Sequence, residues 1–271
     1  MPPILQSALP HSPWMDPRLA RLPGILPLEG DAWLAVDEAF GPQMALRDKL
    51  IADSPQIVLG QLPQGLAAAE ELYDLIVTRL ATTPGYTVTP GYTITPGDAV
   101  TPDTVIRPDG VAVPLDRAAP LKTLGRLVQE DLCVMQDAGA EHVLTGACLC
   151  FPASWSLSEK LGRPLTGIHR MVRVYEEDLA RRVQRMFDVI RVGQPLWRMN
   201  ALVYHNPDLH QPGFEGAPRT ERRDGAFVRA ERQTLLRLPQ TGAVVFAIHT
   251  YVVRLDSLTP AERAGLETAR L

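Results

Sequence analysis

The sequence predicts an α+β fold with a largely antiparallel sheet flanked by helices. Apolar residues at helical spacing recur through the first two thirds of the chain, and long strand-like runs fill the last third. Helices and strands are mixed only around the middle. This order favours an α+β domain over the regular strand–helix alternation of a parallel sheet.

The length and the composition exclude several classes of protein. The chain has 271 residues, 45% hydrophobic and 21% charged, so it can bury a core without a disulfide or a metal. Its net charge of −4 argues against nucleic acid as a partner, because phosphate binding needs a basic face. No apolar run approaches the roughly 20 residues of a membrane span, and the N-terminus lacks the features of a signal peptide. We expect no membrane partner.

The first elements can be read in chain order. Residues 1–40 are rich in proline and predict an arm wrapped over the core. Residues 62–81 predict an amphipathic helix whose apolar face is Leu66, Ala69, Tyr73, Ile76, Val77 and Leu80. Residues 83–104, in which TPGYT occurs twice, are compatible with short hairpin-like turns, but we interpret them as an expanded surface loop without chemistry.

The later elements include two further helices. One is predicted over about 117–139, with Leu121, Leu124, Val128, Leu132 and Met135 on one stripe. The other is predicted over about 173–190, with Tyr175, Leu179, Val183, Met186, Phe187 and Ile190 facing the core and Arg181, Arg182 and Arg185 mostly facing away. Strands are predicted in 142–152, 196–204, 226–239 and 242–255.

The chain has three cysteines, and two of them, Cys148 and Cys150, stand in TGACLCF. In a strand both point to one side. A zinc site needs two further ligands, and no second cysteine pair exists. Buried structural thiols are therefore favoured over a metal site, and the pattern is typical of the reducing cytoplasm.

Strand alternation places polar side chains together on two strands. Arg198 and Asn200 share a face of one strand, while Arg229, Glu231 and Gln233 share a face of another, with Arg232 pointing away. Two interpretations stay open: these residues form the solvated side of an antiparallel sheet, or the two polar faces line one pocket.

The histidines differ in their sequence context. His205 and His210 flank an Asn-Pro-Asp turn, where a turn is favoured over a metal site, and His249 is expected as a packed or pocket-facing strand residue. His169 follows GRPLTG between apolar residues and precedes the third helix. It is either a helix-entry residue bonded to a neighbour or an imidazole presented to a haem iron.

Four segments occur in a recognisable order: CFPASWSLSEKLGRPLTGIH, QPLWRMN, NPDLHQP and VRAERQTLLRLPQTGAVVFAIHTYV. Their order and spacing resemble the haem-dependent oxidative N-demethylase family over roughly residues 20–260. The resemblance implies one PAS-like domain in 41–260 that binds haem b, between the arm in 1–40 and a tail in 261–271.

The same resemblance implies an activity and partners. The activity is that of a monooxygenase subunit that uses O2 to demethylate a small N-methylated amine such as dimethylamine, releasing formaldehyde. Electrons would come from NADPH through partner subunits carrying FMN and a 2Fe–2S cluster. A tetrahydrofolate-binding partner would receive the one-carbon product.

The resemblance also assigns site residues. His169 matches the family's histidine after GRPL and would be the proximal iron ligand. Arg198, from W-R-x-N, and Glu231, from R-x-E-R-Q, would lie in or beside the haem pocket. Arg198 would donate hydrogen bonds to bound oxygen or to a propionate, and Glu231 would pair with the substrate ammonium, or the two roles are exchanged.

This sequence departs from the family pattern around those positions. Met171 and Arg173 stand where prolines are expected, Ala201 and His210 where aromatic residues are expected, and His249 where arginine is common. The implied ligand is kept while its surroundings differ, so the resemblance predicts haem binding more directly than the identity of the amine. A haem-binding PAS sensor and a structural subunit without haem are the alternative functions.

Overall fold

The computed structural model describes residues 2–30, 32–90, 103–171, 175–216 and 225–269. These residues form a mostly antiparallel sheet flanked by helices, as the sequence predicts. The strands are β1 Leu26–Pro27, β2 Leu59–Gln61, β3 Thr87–Thr89, β4 Thr104–Ile106, β5 Ala112–Pro114, β6 Asp131–Asp137, β7 His142–Cys148, β8 Leu196–Tyr204, β9 Phe227–Arg237 and β10 Val244–Arg254.

The helices surround the sheet. They are α1 Pro17–Ala20, α2 Phe40–Asp53, α3 Pro55–Val58, α4 Leu66–Leu80, α5 Pro120–Gly125, α6 Leu157–Lys160, α7 Leu165–Ile168, α8 Glu177–Val189 and α9 Pro260–Ala269. Within the described ranges, no helix combines the length and the apolar character needed to cross a membrane.

The main sheet has seven strands in the order β1-β8-β9-β10-β6-β7-β2, and every neighbouring pair is antiparallel. The three longest strands, β8, β9 and β10, are therefore adjacent. A separate small sheet contains β3, β4 and β5. Because directly paired residues share a face, the register carries each row of side chains across several strands.

The two faces of the main sheet serve different purposes. One face packs Leu132, Val134, Val245 and Ala247 against the apolar side of α4, which includes Leu72, in the largest hydrophobic cluster. The other face carries a second cluster that includes Cys133, Leu144 and Leu235 and packs beneath α7 and α8. The second face borders a cavity. We call this face the hollow side of the sheet, and the face packed against α4 the solid side.

The predicted helix over 117–139 is wrong in its second half. Only Pro120–Gly125 is helical, and Asp131–Asp137 is strand β6, between β7 and β10. Residues 132–135 are all buried because both faces of β6 are covered. A continuous apolar run of this kind fits a helix stripe and a doubly covered strand equally well.

The other two helix predictions are confirmed with adjusted ends. α4 matches its predicted range. α8 begins at Glu177 rather than near residue 173, and its three arginines are exposed as predicted. Its apolar face contributes Leu179, Val183, Met186 and Phe187 to the cavity wall.

The repeat segment is described only at its ends. Thr87–Thr89 and Thr104–Ile106 pair as antiparallel strands, so the ends of the predicted loop belong to a small sheet, and residues 91–102 lie outside the described ranges. The N-terminal residues contact the rest of the chain at several points. Gln6 exchanges hydrogen bonds with Val252 of β10 at 2.9 and 2.8 Å, and Trp14 donates to the Glu262 carbonyl at 2.8 Å. The predicted boundaries of arm, domain and tail stay a prediction.

A buried ion pair fixes the start of β6. The Arg47 guanidinium donates to Asp131 Oδ1 at 2.7 Å and to the carbonyls of Gly125 and Glu130, both at 2.9 Å. Asp131 in turn accepts the backbone N–H groups of Cys150 and Phe151 at 2.7 and 2.8 Å. One charge pair thus joins α2, the end of α5, β6 and the turn after β7.

Replacing Arg47 with methionine should lower the free energy of unfolding by about 3–5 kcal/mol, because Asp131 would keep a buried charge without its partner. Chemical denaturation measures the change. Lys49→Met is the matched control, since Lys49 forms an exposed ion pair with Asp53 on the same helix and should change stability by less than about 1 kcal/mol. Equal effects of the two substitutions would contradict the anchoring role.

A second buried charge cluster lies on the solid side of the sheet. His249 of β10 contacts Glu130 through Nδ1 at 3.0 Å and Asp37 through Nε2 at 3.2 Å. Burial alone would lower the pKa of His249, but the hydrogen bonds and charges of Asp37 and Glu130 outweigh it and raise that pKa to about 9. His249 is therefore a packed strand residue that ties β10 to the N-terminal segment.

This arrangement predicts a pH-dependent stability. Because the His249 pKa rises from 6.5 in the unfolded chain to about 9 when folded, protonation favours the folded state below pH 6.5. That contribution, roughly 3 kcal/mol at most, is lost as the pH rises through 9. In His249→Gln, denaturant unfolding should lack this fall between pH 6.5 and 9, while the exposed control His205→Gln keeps it. An identical pH profile for His249→Gln and the unsubstituted protein would contradict the assignment.

Candidate functional site

A cavity of about 900 Å³ lies between the hollow side of the sheet and the helices α7 and α8. This volume is at the upper end of the range for small-molecule and cofactor sites. The wall is mostly apolar: its apolar side chains include Ile25, Met135, Leu144, Leu165, Ile168, Leu179, Val183, Met186, Phe187, Leu235, Phe246 and Ile248. Such a wall suits a large, mostly apolar ligand.

His169 is the only histidine among the described residues of the wall. It follows the last residue of α7, where its Nδ1 lies 2.9 Å from the Leu165 carbonyl oxygen. A carbonyl only accepts, so Nδ1 carries the proton and donates, and Nε2 is left with a free lone pair. Within the described residues, Nε2 has no hydrogen-bond partner.

The ring of His169 is held on one side as well. It stacks on the ring of Tyr175, with 4.2 Å between centroids and 15° between planes. The hydrogen bond and the stack together fix the ring plane and therefore the direction of the Nε2 lone pair. Tyr175 precedes α8, and its hydroxyl is buried without a partner among the described atoms.

The electrostatics keep this imidazole neutral. Burial lowers the pKa of His169 below its usual range, and the positive charges of Lys160 and Arg198 lower it further, against a smaller opposite effect of the Leu165 carbonyl. A neutral imidazole with its distal nitrogen free is the form that binds a metal ion.

A polar strip crosses the floor of the cavity on β8 and β9. Arg198 is paired with Gln233, and Asn200 with Glu231, in the register of the two strands, and all four residues line the cavity. The interpretation in which the two polar faces line one pocket is therefore confirmed. Arg232 points away and donates to the Ala32 carbonyl, as alternation predicts.

The side chains of the strip form a chain of contacts. Arg198 Nη1 donates to Gln233 Oε1 at 3.2 Å, and Gln233 Nε2 donates to Glu231 Oε2 at 3.1 Å. Arg229 lies on the far side, with its Nε 3.5 Å from Glu231 Oε1. The Nε of Arg198 is buried without a hydrogen-bond partner among the described residues, so this cation keeps donors for a ligand.

A cluster of charges lies at one edge of the cavity, around Glu215. The Glu215 carboxylate accepts hydrogen bonds from Lys160 at 2.7 Å, from Arg163 at 3.1 Å and from Arg170. These contacts hold the segment around Phe214 against α6 and α7. Phe214 itself is 63% exposed at the rim, so the cavity opens between an ion cluster and apolar side chains.

The thiols are buried, as the sequence predicts. Cys148 and Cys150 lie outside the cavity wall with their Sγ atoms 3.9 Å apart. Cys133 lines the cavity, but burial and nearby Asp131 raise its pKa far above the usual range. The Cys133 side chain is therefore a buried, neutral thiol.

The remaining histidines have local roles. His210 Nδ1 lies 2.8 Å from the Cys150 carbonyl oxygen, and His205 is exposed beside the turn. Within the described ranges, no group of three or more His, Cys, Asp or Glu side chains is arranged to hold a metal ion. His249 belongs to the opposite face of the sheet and does not reach the cavity.

The structure brings together the three residues that the sequence singles out. His169, Arg198 and Glu231 all line one cavity. The sequence placed Gln233 on the polar face but gave it no role, and it missed Lys160 and the contact of Tyr175 with His169. Only the alternation of β9 signalled Gln233. The other two depend on how α6, α7 and the segment before α8 fold against each other, which no local pattern encodes.

A protein-family model matches this chain. The family described as haem-dependent oxidative N-demethylase, alpha subunit-like, matches residues 24–270, nearly the whole chain. That description names haem dependence, an oxidative N-demethylase and one subunit of a larger enzyme. With 247 of its 271 residues matched, the chain belongs to the haem-dependent oxidative N-demethylase, alpha subunit-like family.

Proposed function

We propose that this chain is a haem b-dependent subunit that oxidatively demethylates a small N-methylated amine and releases formaldehyde, with His169 as the proximal iron ligand. The observation that carries the proposal is the presentation of His169: a neutral, half-buried imidazole with Nδ1 bonded and Nε2 free at the wall of an apolar cavity. A proximal haem histidine needs the same arrangement, because the hydrogen bond at Nδ1 fixes the tautomer and the ring orientation.

The cavity residues fit a haem group. The cavity of about 900 Å³ has apolar walls on the sheet side and on α8, as the porphyrin faces require. The Nδ1 hydrogen bond of His169 leaves Nε2 free as a ligand atom at this wall. The fit therefore favours histidine ligation.

Bound haem b would supply the redox chemistry with O2 by which an N-methyl group is oxidised. Glu231 would bind the substrate ammonium, because its carboxylate lies on the cavity floor and is only 12% exposed. A buried carboxylate gains most from a cationic partner. In this proposal the amine is held by its charge, and its methyl groups occupy apolar space.

Arg198 would donate hydrogen bonds to acceptor atoms in the cavity, either of bound oxygen or of a haem propionate. Its Nε is buried and unpartnered among the described residues. An arginine cannot lose its proton in a protein, so its free donors require an acceptor. An unpaired buried donor on the same strip as Glu231 supports a catalytic site more than a sensor pocket. A sensor pocket needs no carboxylate to bind an ammonium group.

The wider context extends the same proposal. We expect a PAS-like fold, with which the antiparallel sheet flanked by helices is compatible, and a cytoplasmic protein, with which three free buried thiols are compatible. Partner subunits would carry FMN and a 2Fe–2S cluster, draw electrons from NADPH, and pass the one-carbon product to tetrahydrofolate.

His169→Ala should abolish haem retention, because the substitution removes the only imidazole of the described cavity wall. The measurement is the ratio of haem to protein after reconstitution and desalting, read from the Soret band. His205→Ala, at an exposed position outside the cavity, should retain haem like the unsubstituted protein. Stoichiometric haem in His169→Ala would contradict the ligand assignment.

Glu231→Gln should leave the haem spectrum largely unchanged and suppress the spectral shift that dimethylammonium induces. The substitution keeps the size of the side chain and removes its charge. Titration of dimethylammonium chloride at constant ionic strength measures the response. Glu267→Gln, on the exposed side of α9, is the matched control, and an unaltered amine response in Glu231→Gln would remove Glu231 from the substrate site.

A further inference from the structure

The side-chain amide of Gln233 stands between the two charged residues of the cavity floor. Its Oε1 accepts from Arg198 Nη1 at 3.2 Å, and its Nε2 donates to Glu231 Oε2 at 3.1 Å. Gln233 is only 8% exposed, so water cannot readily replace either contact. Gln233 is therefore the neutral side chain that links Arg198 to Glu231.

The orientation of this amide is fixed by its neighbours. A guanidinium only donates hydrogen bonds, and an ionised carboxylate only accepts them. The amide oxygen must therefore face Arg198 and the NH2 group must face Glu231. In the flipped orientation the NH2 group would face the donors of Arg198, and the amide oxygen would face the acceptors of Glu231. Among neutral side chains of this reach, only glutamine offers an acceptor and a donor on one rigid group.

The strand register makes the bridge possible. Gln233 lies directly opposite Arg198 across β8 and β9, and Glu231 is two residues away on the same face of β9. Arg229 holds the other oxygen of Glu231 at 3.5 Å and is itself bonded to the Leu209 carbonyl at 2.9 Å. The carboxylate is thus held from both sides, whereas Arg198 has Gln233 as its one hydrogen-bond partner among the described residues.

We propose that Gln233 is the positioning residue of this site, which aligns the Arg198 donors and the Glu231 carboxylate for one small cationic substrate. It contacts both charged groups and acts on substrate only through them. The functional part of this inference rests on the proposed amine oxidation, while its structural part concerns the two side chains alone.

Two substitutions separate the two contacts. Gln233→Met keeps the approximate size and removes both hydrogen bonds. Gln233→Glu keeps the shape and the acceptor toward Arg198 but opposes Glu231 with a second carboxylate. Crystal structures of both variants without haem should show Arg198 displaced only in Gln233→Met, and Glu231 displaced in both. Displacements of about 1 Å would already disturb a catalytic geometry.

The functional readout uses the haem-loaded protein. In Gln233→Met, dimethylammonium should need a roughly tenfold or greater concentration to produce half of its Soret shift, as expected for the loss of a hydrogen bond to a charged group. Infrared spectra of the reduced carbon monoxide complex should show a shifted or broadened C–O band, because Arg198 is no longer held. Gln64→Met, at an exposed position outside the cavity, should change neither readout.

The outcomes separate the structural part of the proposal from its link to the substrate. Unmoved Arg198 and Glu231 side chains in both variants overturn the positioning role, whatever the haem content. Moved side chains with an unchanged amine response in haem-loaded protein overturn its link to the substrate. If the unsubstituted protein takes up no haem, the proposed function fails, and the two crystal structures still decide the positioning role.

Discussion

The candidate site depends on the antiparallel register of β8 and β9. Their alternation directs Arg198, Asn200, Glu231 and Gln233 to one face, and a slip of one residue between the strands would leave the polar pair of one strand on the face opposite to the other pair. The same register continues into β10, which adds Phe246 and Ile248 to the cavity wall. One pairing pattern therefore fixes both the polar strip and much of its apolar surroundings.

The rest of the structure keeps that face free. The solid side of the sheet buries its apolar residues against α4 and α5, and the buried Arg47–Asp131 pair fixes the turn that leads from β7 into the segment before His169. On the hollow side, α8 approaches with its apolar face but leaves a space of about 900 Å³.

Several features could be predicted from the sequence because they depend on local period. The helix α4 and the apolar face of α8 follow from a period of about 3.6 residues. The polar alternation of β8 and β9 follows from a period of about 2 residues. β6 was misread as a helix because residues 132–135 are buried on both sides, which removes the alternation. The stacking of Tyr175 on His169 and the ion pairs of Glu215 depend on contacts between distant segments, so no local period indicates them. The resemblance pointed to His169, while its bonded Nδ1 and free Nε2 became visible only in the folded chain.

The central claim is that His169 binds haem iron within this cavity. The most direct test is resonance Raman spectroscopy of the reduced, haem-reconstituted protein, which detects the stretching vibration of a bond between iron and a histidine nitrogen. The account predicts one haem per chain with a single iron–histidine band in the unsubstituted protein, whereas His169→Ala protein retains no haem. Saturable haem binding without that band, or no saturable haem binding at all, would contradict it.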